Sequence, residues 1–199
     1  VVRKQLNDNN SIPKDTIMSD TTTDTQSTKI PDINNDGADE SQLQLVSFGV
    51  GSEEFAVNIL LVQEINRMMT ITKVPESPTC VEGVINLRGR IIPVVDLRKR
   101  FDMELTKHVE SSRIIVVEVD GRVLGFIVDC VHEVLRIDRN IVEATPTITS
   151  SSVDSSYIMG IGKLEDRLLI LLDLSRLFNL EELRAIDKTT RHTSTRNAA

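Results

Sequence analysis

The side chains in this sequence that could do chemistry are few and scattered. His108, His132 and His192 stand apart, with no HxxxH spacing and no carboxylate cluster at metal-ligand spacing, so no metal centre is expected. Cys80 and Cys130 lack CxxC spacing and read as reduced thiols of a cytoplasmic protein, behaving as small, partly buried hydrophobes. Ser150, Ser151, Ser152, Ser155 and Ser156 lie in a polar stretch with no GxSxG elbow, which fits a solvated loop better than a nucleophile. Gly121 and Gly125 show no phosphate-cradling pattern and read as a turn glycine and a packing glycine. Asp96 and Asp173 would make a carboxylate pair for acid–base work, but each precedes a short Leu/Phe segment, "LRKRF" or "LSRLF", where a helix N-cap already accounts for it. The expectation is a protein with no catalytic residue and no cofactor.

What remains is a charged turn. "GVINLRGRIIPVVDLRKRF", from Gly83 to Phe101, sets Arg88-Gly89 between two apolar runs. "GIGKLEDRLLILLDLSRLF", from Gly160 to Phe178, repeats the frame with Glu165-Asp166 at the same place. A guanidinium at a hairpin tip is a recognition group for carboxylates and backbone carbonyls, while a solvated tip whose sequence drifts freely is the competing account.

The elements that must position this turn follow from a duplication. Residues 44–67 lie over 113–136 without a gap: Val46 meets Ile115, Val50 meets Val119, Phe55 meets Leu124, Val62 meets Val131, Glu64 meets Glu133 and Arg67 meets Arg136. After a longer loop, Gly83, Leu87, Arg90, Asp96, Leu97 and Phe101 recur as Gly160, Leu164, Arg167, Asp173, Leu174 and Phe178. Two copies are too few for a solenoid and fit two fused small domains related by a pseudo-two-fold. Each copy reads as β, because β-branched runs end at Gly51-Ser52 or Asp120-Gly121 and resume at once, which is hairpin patterning. The runs "IIPVV" and "LLILL" do not alternate, so their strands should be buried on both faces, as when each sheet closes into a five-stranded barrel and packs on its twin. Pro93 cannot donate to a ladder and is expected at an edge or bulge.

The 199-residue chain carries a net charge of -7 and is only 3% aromatic, which argues against a nucleic-acid partner. No apolar run approaches the roughly 18 residues of a membrane span. Residues 1–41 form an acidic stretch poor in large apolar groups and are expected to be a disordered tail. Residues 42–187 are expected to fold, with a first barrel over 42–105 and a second over 106–187, followed by a disordered C-terminal tail over 188–199.

The stretches "FAVNILLVQEINR", "VEGVINLRGRIIPVVDLRKRF", "GFIVDCVHEVL" and "RLLILLDLSRLF" closely resemble the CheW-like domain family, which is shared by bacterial chemotaxis coupling proteins and the regulatory end of the CheA histidine kinase. The likeness spans residues 42–183, and NLRG followed by P-x-x-D-L-R is its most specific part. The resemblance implies a mainly β fold of two SH3-like five-stranded barrels with short helices, and no catalysis. It implies an adaptor that links the cytoplasmic tips of chemoreceptors (methyl-accepting chemotaxis proteins) to a CheA-type kinase in membrane-associated arrays, without inserting into the membrane. A scaffold module of a non-chemotaxis chemosensory pathway, or of a larger signalling protein, is the alternative. Carried over by position, the receptor-facing residues are Val62, Glu64, Asn86, Leu87, Arg88 and Gly89, and those facing the kinase regulatory domain are Ile59, Val62, Glu64, Gly125 and Val131. Glu64 and Arg88 are expected to pair. Asn58 stands where the family usually has Asp, and the acidic N-terminal stretch is longer than the family's short lead.

Overall fold

A computed structural model describes residues 41–144 and 155–196, so the expected N-terminal tail, apart from Ser41, lies outside the described residues. The first copy contains β1 (Gln42–Val50), β2 (Glu53–Asn58), β3 (Val62–Arg67), β4 (Val81–Leu87), β5 (Arg90–Asp96) and the short helix α1 (Leu97–Arg100). The second contains β6 (Arg113–Val119), β7 (Arg122–Val128), β8 (Cys130–Asp138), β9 (Val142–Glu143), β10 (Ile158–Lys163), β11 (Leu168–Leu172) and α2 (Leu180–Arg196). The expected turns are in place: Val50 opposes Glu53, Leu87 opposes Arg90 and Val119 opposes Arg122. Arg88-Gly89 and Asp120-Gly121 have positive φ at both residues, as a two-residue type I′ hairpin requires.

The strands form two sheets of one plan, ordered β3-β6-β7-β5-β4 and β8-β1-β2-β11-β10-β9. Under the duplication the first five positions of each sheet correspond one to one. The copies have therefore exchanged hairpins. β3 to β7 make a middle unit that is continuous in sequence, whereas β1 and β2 join β8 to β11 in a split unit. This corrects the expected boundary between residues 105 and 106. Two-stranded hairpins are marginal alone, and here each is completed by the other copy, through parallel ladders that set Val94 against Gly125 and Ile170 against Phe55. An internal repeat reveals that two copies exist, but not which copy each strand pairs with.

Each unit is drawn closed at its rim. In the middle unit Thr72 exchanges backbone hydrogen bonds with Val84 of β4, at 2.8 and 2.9 Å; in the split unit β9 pairs with β10. The closing segment crosses directly over the repeated glycine in both cases. A Cβ on Gly83 would lie 2.3 Å from the Thr72 carbonyl oxygen, and one on Gly160 would lie 2.7 Å from Val142 Cγ1. The glycine that opens both repeated stretches is thus explained by close backbone approach.

Three apolar clusters account for the unbroken strand runs. Ile85, Ile92, Val94, Ile114, Val116 and Ile127 fill the middle unit. Leu43, Leu45, Ala56, Ile137, Leu169 and Leu171 are among those filling the split unit. The opposite faces of the same strands, with Val95, Phe126, Ile170 and Leu172, meet in a shared core between the units. There Phe55 stacks on Phe101 at 5.1 Å and Phe126 on Phe178 at 6.3 Å.

Two further expectations are corrected. β5, which carries Pro93, lies between β7 and β4 and is not an edge strand, while the bulge expected as the alternative is beside it, where the β4–β5 register shifts between Val81 and Gly83 opposite Val95 and Val94. Its ladder with β7 starts only at Val94, so the missing N–H of Pro93 is not needed there. The C-terminal tail expected over 188–199 is helical through Arg196. Asn179 Oδ1 accepts from the N–H groups of Glu181 and Glu182 while Glu182 Oε2 accepts from Asn179 N–H, a capping box that nucleates α2. Ile186 is buried in the shared core, and with no Pro or Gly before Arg196 the helix continues at one hydrogen bond per residue. Arg100 of α1 fastens this helix by donating to Glu182 at 2.8 Å and to the Tyr157 hydroxyl at 3.0 Å.

Candidate functional site

The charged turn sits at the end of the β4–β5 hairpin, on the rim of the middle unit. Asn86 Oδ1 accepts from Gly89 N–H at 2.9 Å, fixing the tip from inside. Leu87 is half-buried against the middle-unit core. Arg88 points outward, its side chain 79% exposed, and donates through one terminal nitrogen to Glu64 Oε2 at 3.1 Å. Glu64 reaches it from β3, where Val62, Glu64 and Asn66 are half-buried while Gln63, Ile65 and Arg67 are exposed. The expected Glu64–Arg88 pair is thus present. It orients the guanidinium and leaves most of its planar fork of donors facing solvent, a geometry suited to a carboxylate or backbone carbonyl on a partner.

The duplicate explains the reversed sign. Glu133, the twin of Glu64, is paired by Arg167, which stands on the strand side of the turn and also reaches Glu54 at 3.1 Å. The Glu133 hydrogen bond, and then the Glu54 charge, push the Arg167 guanidinium further above its usual range. With Glu133 paired by Arg167, the turn needs no cation of its own, and Asp166 lies 3.9 Å from the same guanidinium.

The kinase-facing candidates sit near the junction of the units. Ile59–Leu61 is a 3-10 turn capped by Asn58, whose Oδ1 accepts from Leu60 N–H at 2.9 Å. Ile59, Val62 and Val131 pack against the shared core and are half-buried. Gly125 does not belong with them. It is buried in the middle of β7, where an added Cβ would lie 3.0 Å from Ile114 Cγ2, and it presents no surface to a partner.

Sequence inspection missed Leu60, which is 60% exposed beside an apolar cleft of about 230 Å³ lined by Leu45, Ala56, Leu61, Met159 and Leu171. A leucine at a turn tip was the signal. Its counterpart in the other copy is Asp129, whose carboxylate takes two hydrogen bonds from Arg98, at 2.9 and 2.7 Å, and one from Gly51 N–H at 2.7 Å. The two equivalent positions therefore differ in chemistry, Leu60 flanking an open apolar cleft and Asp129 held in a polar latch that ties Arg98 of the middle unit to Gly51 of the split unit.

Asp96 and Asp173 act as N-caps, accepting from Arg98 N–H at 2.9 Å and Ser175 N–H at 3.1 Å. Among the described residues no group of three or more His, Cys, Asp or Glu could hold a metal ion, and no helix is long and apolar enough to cross a membrane.

The family model for the CheW-like domain matches residues 44–182. The chemotaxis protein CheW of Rhizobium meliloti is 37% identical over 142 residues, covering 71% of this chain and 91% of that protein. The chemotaxis protein CheW of Klebsiella aerogenes is 33% identical over 148 residues, covering 74% and 89%. The crystal structure of the scaffolding protein TtCheW from Thermoanaerobacter tengcongensis aligns with a TM-score of 0.66 at 41% identity, over 70% of this chain and 94% of that one. With the family model spanning most of the folded chain and relatives at 33% and 37% identity covered over most of their own length, the chain belongs to the CheW-like domain family.

Proposed function

We propose that the chain is a non-catalytic chemotaxis adaptor that couples chemoreceptors to a CheA-type histidine kinase, working in the cytoplasm at membrane-associated receptor arrays. The observation that carries this reading is the oriented, solvent-facing fork of Arg88, held by Glu64 on a rigid hairpin rim. Val62, Glu64, Asn86, Leu87, Arg88 and Gly89 form the receptor surface. Ile59, Val62, Glu64 and Val131 are the kinase-facing positions, and the Leu60 cleft supplies an apolar anchor of the kind that carries binding energy at an interface. Because Leu60 and its counterpart Asp129 differ in chemistry, the kinase regulatory domain is expected to make two separable contacts of unequal strength.

The test is a reconstitution of kinase autophosphorylation with receptor signalling fragments, with and without this protein. Stimulation should require all three components, and pull-downs should recover kinase and receptor independently. If the protein binds neither partner, or if stimulation proceeds equally without it, the adaptor reading fails.

A further inference from the structure

Cys130 and His132 are two residues apart on β8 and project from the same side of the strand. Cys130 Sγ lies 3.6 Å from His132 Nε2. Opposite Cys130 in the β1–β8 ladder is Gly49. A Cβ there would sit 3.0 Å from the sulfur and 3.3 Å from Nε2, so the absent side chain opens the notch that holds the pair. Cys130 is half-buried and His132 exposed, which gives small reagents a path to the sulfur. Phe48 and Gly49 across the ladder carry no charge. The neighbouring carboxylates on β8's own side are already committed, Asp129 to Arg98 and Glu133 to Arg167.

We propose that Cys130 is a site of covalent modification by small peroxides, with His132 as the base that serves it. In the tautomer protonated at Nδ1, Nε2 accepts the thiol proton. The thiolate attacks one oxygen of the peroxide ROOH; the S–O bond forms as the O–O bond breaks. The departing RO⁻ takes the proton back from the imidazolium, leaving ROH and a sulfenic acid on Cys130. Sulfur loses two electrons and the peroxide gains them. The product places a polar group next to Val131, at the junction of the two units.

The chain contains its own reference thiol. Cys80 is buried at 7% exposure, and burial pushes its thiol upward, so it should react slowly. The full reduced chain is treated with limiting iodoacetamide at neutral pH, and each cysteine peptide is quantified by mass spectrometry over time. Cys130 should be alkylated about tenfold faster than Cys80. His132→Gln, at an exposed position, should slow Cys130 by about three- to tenfold and leave Cys80 and the melting temperature unchanged. Gly49→Ala should slow Cys130 by closing the notch, and dimedone added after hydrogen peroxide should tag Cys130 and not Cys80. Equal rates for the two cysteines, or a Cys130 rate that His132→Gln does not change, overturn the proposal.

Discussion

Replacing Arg88 by Asn separates the geometry of the hairpin tip from its chemistry. Arg88 holds a φ of 52°, in the left-handed region, which costs a residue with a Cβ about 1–2 kcal/mol and which Asn tolerates far better. Against this gain stands the loss of one ion-pair contact at 3.1 Å from a side chain that is 79% exposed. A pair so open to water contributes roughly 0–1 kcal/mol. Arg88→Asn should therefore leave folding unchanged or improve it by roughly 1 kcal/mol, a rise in Tm of up to about 4 °C for a domain of this size. Receptor-dependent stimulation should nevertheless collapse, because the amide cannot reproduce a charged, bidentate fork. The assays are calorimetry, kinase pull-down and reconstituted autophosphorylation on the same preparation. A variant that melts no lower than the parent, still binds kinase and no longer couples receptor is the expected result. Stimulation surviving within about twofold would refute the recognition role of the tip. A Tm lowered by several degrees would refute the accounting of the ion pair.

Four further outcomes follow from the same geometry. Leu60→Asp places a charge at the mouth of the apolar cleft and should weaken solution binding to the kinase by at least about tenfold, measured by calorimetric titration, without changing the fold. Asp129→Ala removes the bonds from Arg98 Nε and Nη2 and from Gly51 N–H, leaving the partly buried guanidinium only its bond to the Glu104 carbonyl, and should cost about 1–3 kcal/mol in urea unfolding. Gly83→Ala drives a methyl group into the Thr72 carbonyl oxygen and should cost about 1–3 kcal/mol or more, with faster hydrogen exchange at the Thr72 and Val84 amides. Burial holds the Cys80 thiol above its ordinary value of 9.0, so its contribution to stability is complete below that pH and is lost as pH rises from there. Urea midpoints followed from pH 8 to 10.5 should fall more steeply for the parent than for Cys80→Ala.

Much of this arrangement is legible in the residues because it is local. Arg88-Gly89 and Asp120-Gly121 carry their turn type in their composition, Asp96 and Asp173 carry their caps, and the in-register repeat of Glu64 as Glu133 identifies equivalent strands. The Glu64–Arg88 contact is foreseeable only through the family resemblance, which places the VQEI segment beside the turn. The hairpin exchange is not legible, because β1 would present the same apolar pattern to either copy's strands. The placement of Gly125 among partner contacts fails for a related reason: its second flank is covered by Val94, which reaches it through the parallel β5–β7 ladder that the hairpin exchange creates. Pro93 escaped the edge-strand rule through a ladder that starts one residue later. The length of α2 depended on a capping box at its start, while the polar composition of its end suggested no helix at all.

The hairpin exchange also sets an order on synthesis. The middle unit is continuous in sequence, so it can close as soon as β7 has left the ribosome. The split unit cannot, because Leu45 on β1 must wait for Leu135 on β8, and Phe55 on β2 for Ile170 on β11. Throughout that interval β1 and β2 are an incomplete ribbon with Leu43, Leu45 and Ala56 uncovered, the kind of unpaired edge that recruits a neighbouring nascent chain. The growing polypeptide is therefore most vulnerable after one half of its architecture is finished, and substitutions that slow elongation or weaken β11 should appear first as lost yield in the cell.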